Sequence, residues 1–367
     1  MSTTTKEKPL VLITGCSGLI GSRIIEDLSP DYRVIGLDIV EPQNAPSAEE
    51  WLECDLTDDD SVLTALSTIR GKYGLQFASV IHIAAYYDFS GEPSPLYETL
   101  TVEGTRRLLQ RLQEFQVEQF VFSSTLLVMK PAEEDELLTE TSDTQAEWEY
   151  PRSKLRAERV IREERGTFPV AILRLAGAYD EDCHSVPIAQ QISRIYEKKL
   201  ESYFFPGKKT HGQAFVHLDD LVEGFHKTVD HRQRLQPQEL LLIAEPDVMS
   251  YAELQEQVGE LIHGREWPTI RIPKVVAKIG AWAQEKVAGK EDSFIKPWMV
   301  DLADQHYPVE IQRARELLQW TPRYRLRDTL PEMIKRLQQN PRQWYETNKL
   351  PFPSEAKEST AGKADAS

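Results

Sequence analysis

The stretch Pro9-Leu-Val-Leu-Ile-Thr-Gly-Cys-Ser-Gly-Leu-Ile-Gly21 decides the fold. Pro9 to Thr14 is an unbroken apolar, β-branched run of the kind buried in a parallel sheet. Gly18 to Leu28 has helical spacing. The loop between them reads Gly15-x-x-Gly18-x-x-Gly21, where the commoner spacing is Gly-x-Gly-x-x-Gly. Glycines serve three needs at such a turn: a tight bend, close backbone approach to a pyrophosphate, and packing of helix on strand. The helix N-terminus then favours the phosphate charge. Gly15, Ser17, Gly18, Leu19, Ile20 and Gly21 are therefore read as a dinucleotide cradle. A triple-glycine string alone is weak, but here a strand precedes it, a helix follows, and Asp38 stands 23 residues past Gly15 at the end of the next strand.

Working outward, Tyr32–Asp38, Trp51–Cys54, Phe77–Ala84, Gln119–Ser124 and Phe168–Leu175 repeat the strand pattern, with a long helix over Leu96–Phe115. Strands alternating with helices imply an α/β fold, a Rossmann-type doubly wound parallel sheet. Past Tyr179 the rhythm loosens into helices at Ile188–Lys199 and Leu218–Val229 and a strand at Leu240–Ala244. A helix opened by the Ser250-x-x-Glu253 capping box follows. The expected division is a disordered N-terminus over 1–8 and an NAD-binding domain over 9–178. A smaller mixed substrate-binding region spans 179–340, with strand 240–244 returning to the sheet, and 351–367 is a disordered tail. The apolar face of a helix at Pro273–Val287 reads as core packing, as a flap over the substrate, or as a peripheral membrane contact.

Asp38 also selects the cofactor. Its carboxylate can accept from the adenosine ribose hydroxyls but would repel a 2′-phosphate, and neighbouring Ile39 and Val40 bring no cation. NAD is expected in preference to NADP. The formal net charge of −16 disfavours nucleic acid and anionic lipid as partners. Three cysteines without metal-ligand or disulfide spacing, and no run of about 20 apolar residues, imply a reducing, cytoplasmic setting and no integral membrane segment. The histidines are scattered, so no metal is expected.

Together with further motifs, these residues resemble the extended short-chain dehydrogenase/reductase family. That group includes nucleotide-sugar epimerases and dehydratases and enzymes like 3-beta-hydroxysteroid dehydrogenase. Beyond the glycine loop the likeness comprises Asp55-Leu56, His82-Ile83-Ala84-Ala85, Ser123-Ser124-Thr125, Tyr150-Pro-Arg-Ser-Lys154, Phe215-Val-His-Leu-Asp-Asp220 and Leu317-Leu-Gln-Trp-Thr-Pro322. It implies NAD contacts from Asp55, Leu56, Ile83, Ala84, Ala85, Ala176, Tyr150 and Lys154, alongside the loop residues, Asp38 and Ile39. It also implies catalysis by Thr125, Tyr150 and Lys154, and a homodimer through helices near 96–115 and 151–164. A tyrosine with an ordinary pKa near 10 is a poor base at neutral pH, so Lys154, one helical turn on, together with the positive nicotinamide ring, is expected to favour the phenolate, with Lys154 also a ribose ligand. Thr125 would hold the substrate oxygen, with Ser124 as the alternative. Tyr-x-x-x-Lys recurs at Tyr345 and Lys349, beyond the last expected element, and is read as chance.

The sequence departs from the nucleotide-sugar branch in several places. Leu126-Leu127 stands where eliminating relatives carry acids, Gly177 where an Asn binds phosphate, and Gln213-Ala214 where an Arg-Asp pair is usual. Thr101 and Met129-Lys130 replace a common Asn and Tyr-Gly. Tyr86, Tyr87 and Phe89 either line an apolar pocket or pack under a loop. The expected function is thus NAD-dependent interconversion of a secondary alcohol and a ketone on a rather apolar molecule. The alternatives are nucleotide-sugar epimerisation and a non-catalytic NAD-binding regulator.

Overall fold

The computed structural model describes residues 8–42, 48–88, 92–273 and 304–353. Phe89, the expected helix at 273–287 beyond its first residue, residues 1–7 and the tail past 353 lie outside them.

In chain order the main elements begin with β1 (Leu10–Thr14), α1 (Leu19–Leu28), β2 (Arg33–Asp38), β3 (Glu50–Glu53) and α2 (Asp59–Tyr73). Then come β4 (Ser79–His82), α3 (Glu103–Leu112), β5 (Phe120–Thr125), α4 (Glu149–Glu164) and β6 (Val170–Leu175). The second half supplies α5 (Val186–Tyr196), α6 (Leu218–Asp230), β7 (Gln238–Ile243) and α7 (Tyr251–His263). It ends with α8 (Gln312–Leu318), α9 (Leu326–Gln339) and α10 (Pro341–Thr347).

All seven strands are parallel, in the order β7-β6-β5-β4-β1-β2-β3. Strand order reverses between β1 and β4, which opens a crevice beyond their carboxyl ends where such sheets bind ligands. Alternation along β1 explains why a continuous apolar run is needed. Val11 and Ile13 join one core with α1 and α6, whereas Leu10 and Leu12 join another with α2, α3 and α4. A third core ties α5 and α7 to α9 and α10.

Two stretches differ from the sequence expectation for visible reasons. The strand expected over Phe77–Ala84 ends at His82, because the amides of Ile83 and Ala84 both turn to the Thr14 carbonyl, at 3.2 Å. The helix expected over Leu96–Phe115 opens with a π-helical turn, Tyr97–Val102. Within it the Thr105 hydroxyl donates to the Thr101 carbonyl, and the buried Thr101 hydroxyl accepts from the Tyr86 amide at 3.0 Å. Thr101 thus anchors the segment leaving β4.

The late motifs form one joint. Asp220 is fully buried and accepts from the Arg323 and Tyr324 amides at 2.8 and 2.9 Å, while the Trp320 indole donates to the Asp220 carbonyl. Two strings about a hundred residues apart therefore clamp α6 to the closing segment.

Candidate active site

The glycine loop is built by close approach. Gly15 has φ +76°, and a Cβ there would stand 2.8 Å from the Ala84 amide nitrogen. A Cβ on Gly21 would stand 2.1 Å from the Gly15 carbonyl oxygen. Gly18 precedes α1 in extended conformation with no side-chain cap, and no acid occupies the first turn. The helix therefore presents uncapped amides and the positive end of its dipole to the space above. Asp38 ends β2 with its carboxylate fixed from both sides: the Ser17 amide donates at 2.9 Å and the Ile39 amide at 2.8 Å. Ile39 beside it is 62% exposed. Asp55 accepts from the Thr57 amide and hydroxyl.

Across the crevice, β5 and α4 bring the candidate catalytic residues together. Thr125 ends β5, and its hydroxyl accepts from the Leu127 amide at 3.3 Å. Burial pushes the Tyr150 phenol above its ordinary pKa, helped by Tyr87 and Tyr97, while the neighbouring Thr125 hydroxyl pulls the other way. Tyr87 meets the Tyr150 ring edge-on at 4.9 Å.

Lys154 donates from its ammonium to the Ser123 carbonyl at 2.7 Å and lies 4.8 Å from the Phe122 ring centre. Burial lowers the Lys154 pKa to about 7, against a raising influence from Glu158. Ser124 is turned away: its hydroxyl donates to Glu158 at 2.6 Å. That leaves Thr125 as the hydroxyl beside Tyr150.

One cavity of about 1620 Å³ joins these groups. Gly15, Ser17, Gly18, Leu19, Ile20 and Gly21 form its floor at the glycine loop. Asp38, Ile39, Asp55 and Leu56 border one side, and Ile83, Ala84, Ala85 and Ala176 the other. Thr125, Tyr150 and Lys154 stand on the same wall as Leu126, Leu127 and Tyr87. Tyr86 instead packs edge-on against Tyr97 at 4.8 Å. The repeated pair is elsewhere: Tyr345 is buried in the third core, its hydroxyl donating to Glu197 at 2.9 Å.

A model of the NAD dependent epimerase/dehydratase family matches residues 11–244. The chain belongs to that family. It is an NAD-dependent enzyme, and its glycine cradle fits the cofactor: a side chain at Gly15 or Gly21 would fill the loop, and the uncapped α1 amides suit a pyrophosphate. UDP-glucose 4-epimerase of Erwinia amylovora is 26% identical over 253 residues, covering 60% of this chain and 73% of its own. 3-beta-hydroxysteroid dehydrogenase of Mycolicibacterium neoaurum is 22% identical over 347 residues, covering 88% and 90%. The solved structure of MoeE5 in complex with UDP-glucose and NAD shares the fold, with a TM-score of 0.64 at 22% identity, covering 90% of this chain and 98% of that one. Family members thus include both epimerases and a steroid dehydrogenase. No helix among the described residues is long and apolar enough to cross a membrane.

Two features escape the motif reading. Under the β5 end, Glu158 (fully buried) pairs with Arg174 (2% exposed) through contacts of 3.1 and 2.9 Å, and also holds Ser124. Burial opposes the carboxylate, but Arg174 outweighs it and keeps the Glu158 pKa below the usual range. The signal was an arginine inside the apolar run of β6 and a glutamate four residues after Lys154, on the same helix face. The other feature is Arg194, on the cavity's C-terminal wall. No motif marks it.

Proposed function

We propose that this enzyme interconverts a secondary alcohol and a ketone on a rather apolar small molecule, using NAD, with Tyr150 as acid/base. The observation that carries this reading is the wall around Thr125 and Tyr150. Leu126 and Leu127 line it where eliminating relatives have acids, and Gly177 and Gln213 line it where diphosphate contacts are usual. Such a wall suits an apolar substrate, and positions 126 and 127 supply neither an acid nor a base.

In this reading Asp38 would receive the adenosine ribose and the α1 amides the pyrophosphate, with Ile39, Asp55, Leu56, Ile83, Ala84, Ala85 and Ala176 flanking. When bound, the cofactor supplies the hydride acceptor or donor. The Thr125 hydroxyl holds the substrate oxygen. In oxidation Tyr150 accepts the proton of the substrate hydroxyl, and in reduction it returns one to the carbonyl oxygen. The raised phenol pKa leaves Tyr150 protonated at neutral pH in the free protein, ready for the reductive direction. Oxidation then requires added positive charge nearby, which Lys154 and the bound nicotinamide ring would provide, with Lys154 also placed to hold the cofactor's ribose.

The test is purified protein with NAD and a panel of sterol, terpenoid and flavonoid alcohols, followed by NADH absorbance. Turnover of members of the panel is expected. Silence across it, together with conversion of a UDP-sugar, would overturn the reading. A second reading, nucleotide-sugar epimerisation, is supported by the likeness to the Erwinia enzyme and would use the same Tyr150. It predicts tightly retained NAD and no net NADH. We also infer a homodimer through α3 and α4, which light scattering would test against a monomer.

A further inference from the structure

We propose that Arg194 makes the C-terminal wall of the cavity a carboxylate subsite, so that the substrate is an apolar hydroxy or oxo acid; this rests on the alcohol/ketone reading above. Helix α5 forms that wall and divides by face. Ile188, Ala189, Ile192 and Ile195 enter the third core, while Pro187, Gln190, Gln191 and Arg194, at helical spacing, line the cavity. Among the described residues, Arg194 and Lys154 are the only lysine or arginine lining it, and Lys154 is engaged at Ser123.

Arg194 spends only its Nε, which donates to the Gln190 carbonyl at 3.0 Å, and among the described residues it makes no ion pair. Its terminal nitrogens remain for a ligand. Burial works against its charge, and the groups it senses are Tyr251 and Glu201. Tyr251 lines the same wall, its ring flat against Phe205. A half-buried guanidinium on this wall, without a carboxylate partner among the described residues, is placed to take an anion from the ligand.

Charge decides which anion. One guanidinium with Glu201 nearby suits a monoanion held by the planar fork. A diphosphate, with at least two charges, finds no second arginine or lysine on this wall among the described residues, and positions 177 and 213 are Gly and Gln. The apolar body of the ligand would lie on Phe204, Phe205 and Leu254.

The test is calorimetric titration of the full-length, NAD-loaded protein with a hydroxylated steroid carboxylic acid and with its methyl ester. The acid should bind about 10- to 100-fold tighter than the ester, the range for a charge-assisted hydrogen bond. The preference should collapse in Arg194→Met and partly return in Arg194→Lys, with melting temperatures showing all three proteins folded. Equal binding of acid and ester, a preference that survives Arg194→Met, or no saturable binding of either would overturn the subsite. NADH formation in the same samples tests the alcohol/ketone reading separately. An Arg194-dependent preference without NADH supports the subsite and counts against that reaction.

Discussion

At the cofactor end of the cavity the contacts come from backbone: the φ +76° turn at Gly15, the Gly21 close approach, and the uncapped amides of α1. At the C-terminal wall they come from side chains, Arg194, Tyr251, Phe204 and Phe205, delivered by elements far apart in the chain. Backbone recognition demands residues without side chains at fixed spacing, so it leaves a motif. Side-chain recognition can be met by many residues from many positions, so it leaves none.

The sharpest probe of that contrast lies where the two ends meet. Tyr150→Phe should lower turnover by about 10²- to 10⁴-fold, the span of a general acid/base, while NAD affinity measured by calorimetry stays within a few-fold. An equal loss of both would mean that Tyr150 belongs to the cofactor end alone. Oxidation by the native enzyme should also rise with pH, by at most about tenfold per unit below the phenol pKa, while reduction stays level there and falls only above that pKa.

Next in size is the floor beneath β5. Arg174→Met removes the buried partner of Glu158 and leaves it the Ser124 hydroxyl and the more exposed Arg162 at 2.8 Å. Breaking a buried pair costs about 3–5 kcal/mol, and with Arg162 retained the loss in denaturant unfolding is expected toward the lower end. A change below about 1 kcal/mol would show the pair to be hydrated, as exposed ion pairs are.

The C-terminal half should show its own pH signature. Glu245 is buried, accepts from the Tyr179 hydroxyl and the Leu326 amide, and has its pKa raised by burial to about 7. The folded protein therefore holds a proton between about pH 4.5 and 7 that the unfolded chain has lost. Its stabilising effect is full below pH 4.5 and disappears as pH rises through 7, a difference on the order of 3 kcal/mol. Glu245→Gln should flatten the fall in melting temperature over that window. A parallel fall in both proteins would assign the titration elsewhere.

The smallest effect belongs to Asp38. Asp38→Asn should weaken NAD by about tenfold and narrow the preference over NADP, leaving melting temperature nearly unchanged. Unaltered cofactor choice would place selection on another residue.

How far the sequence spoke follows the same division. The sheet was legible because strands buried on both faces must be largely apolar, as the runs Leu10–Ile13 and Val170–Leu173 are. The π-helical turn was not, because it depends on Thr101 meeting the Tyr86 amide across the chain. Thr125 was separable from Ser124 only once the Glu158 and Arg174 pair was seen to take the Ser124 hydroxyl. Sequence spacing placed Lys154 on the helix face of Tyr150 but could not show the Ser123 carbonyl that accepts from its ammonium. Arg194 carried no signal at all; only the cavity distinguishes it from a surface arginine.

The central claim, net oxidation of an apolar alcohol, is tested most directly by the fate of the transferred hydrogen. An alcohol deuterated at its carbinol carbon is incubated with enzyme and NAD, and the products are analysed by mass spectrometry. The account predicts deuterium in free NADH, one for each ketone formed. Deuterium retained on a carbon of inverted configuration, with no NADH released, would contradict it.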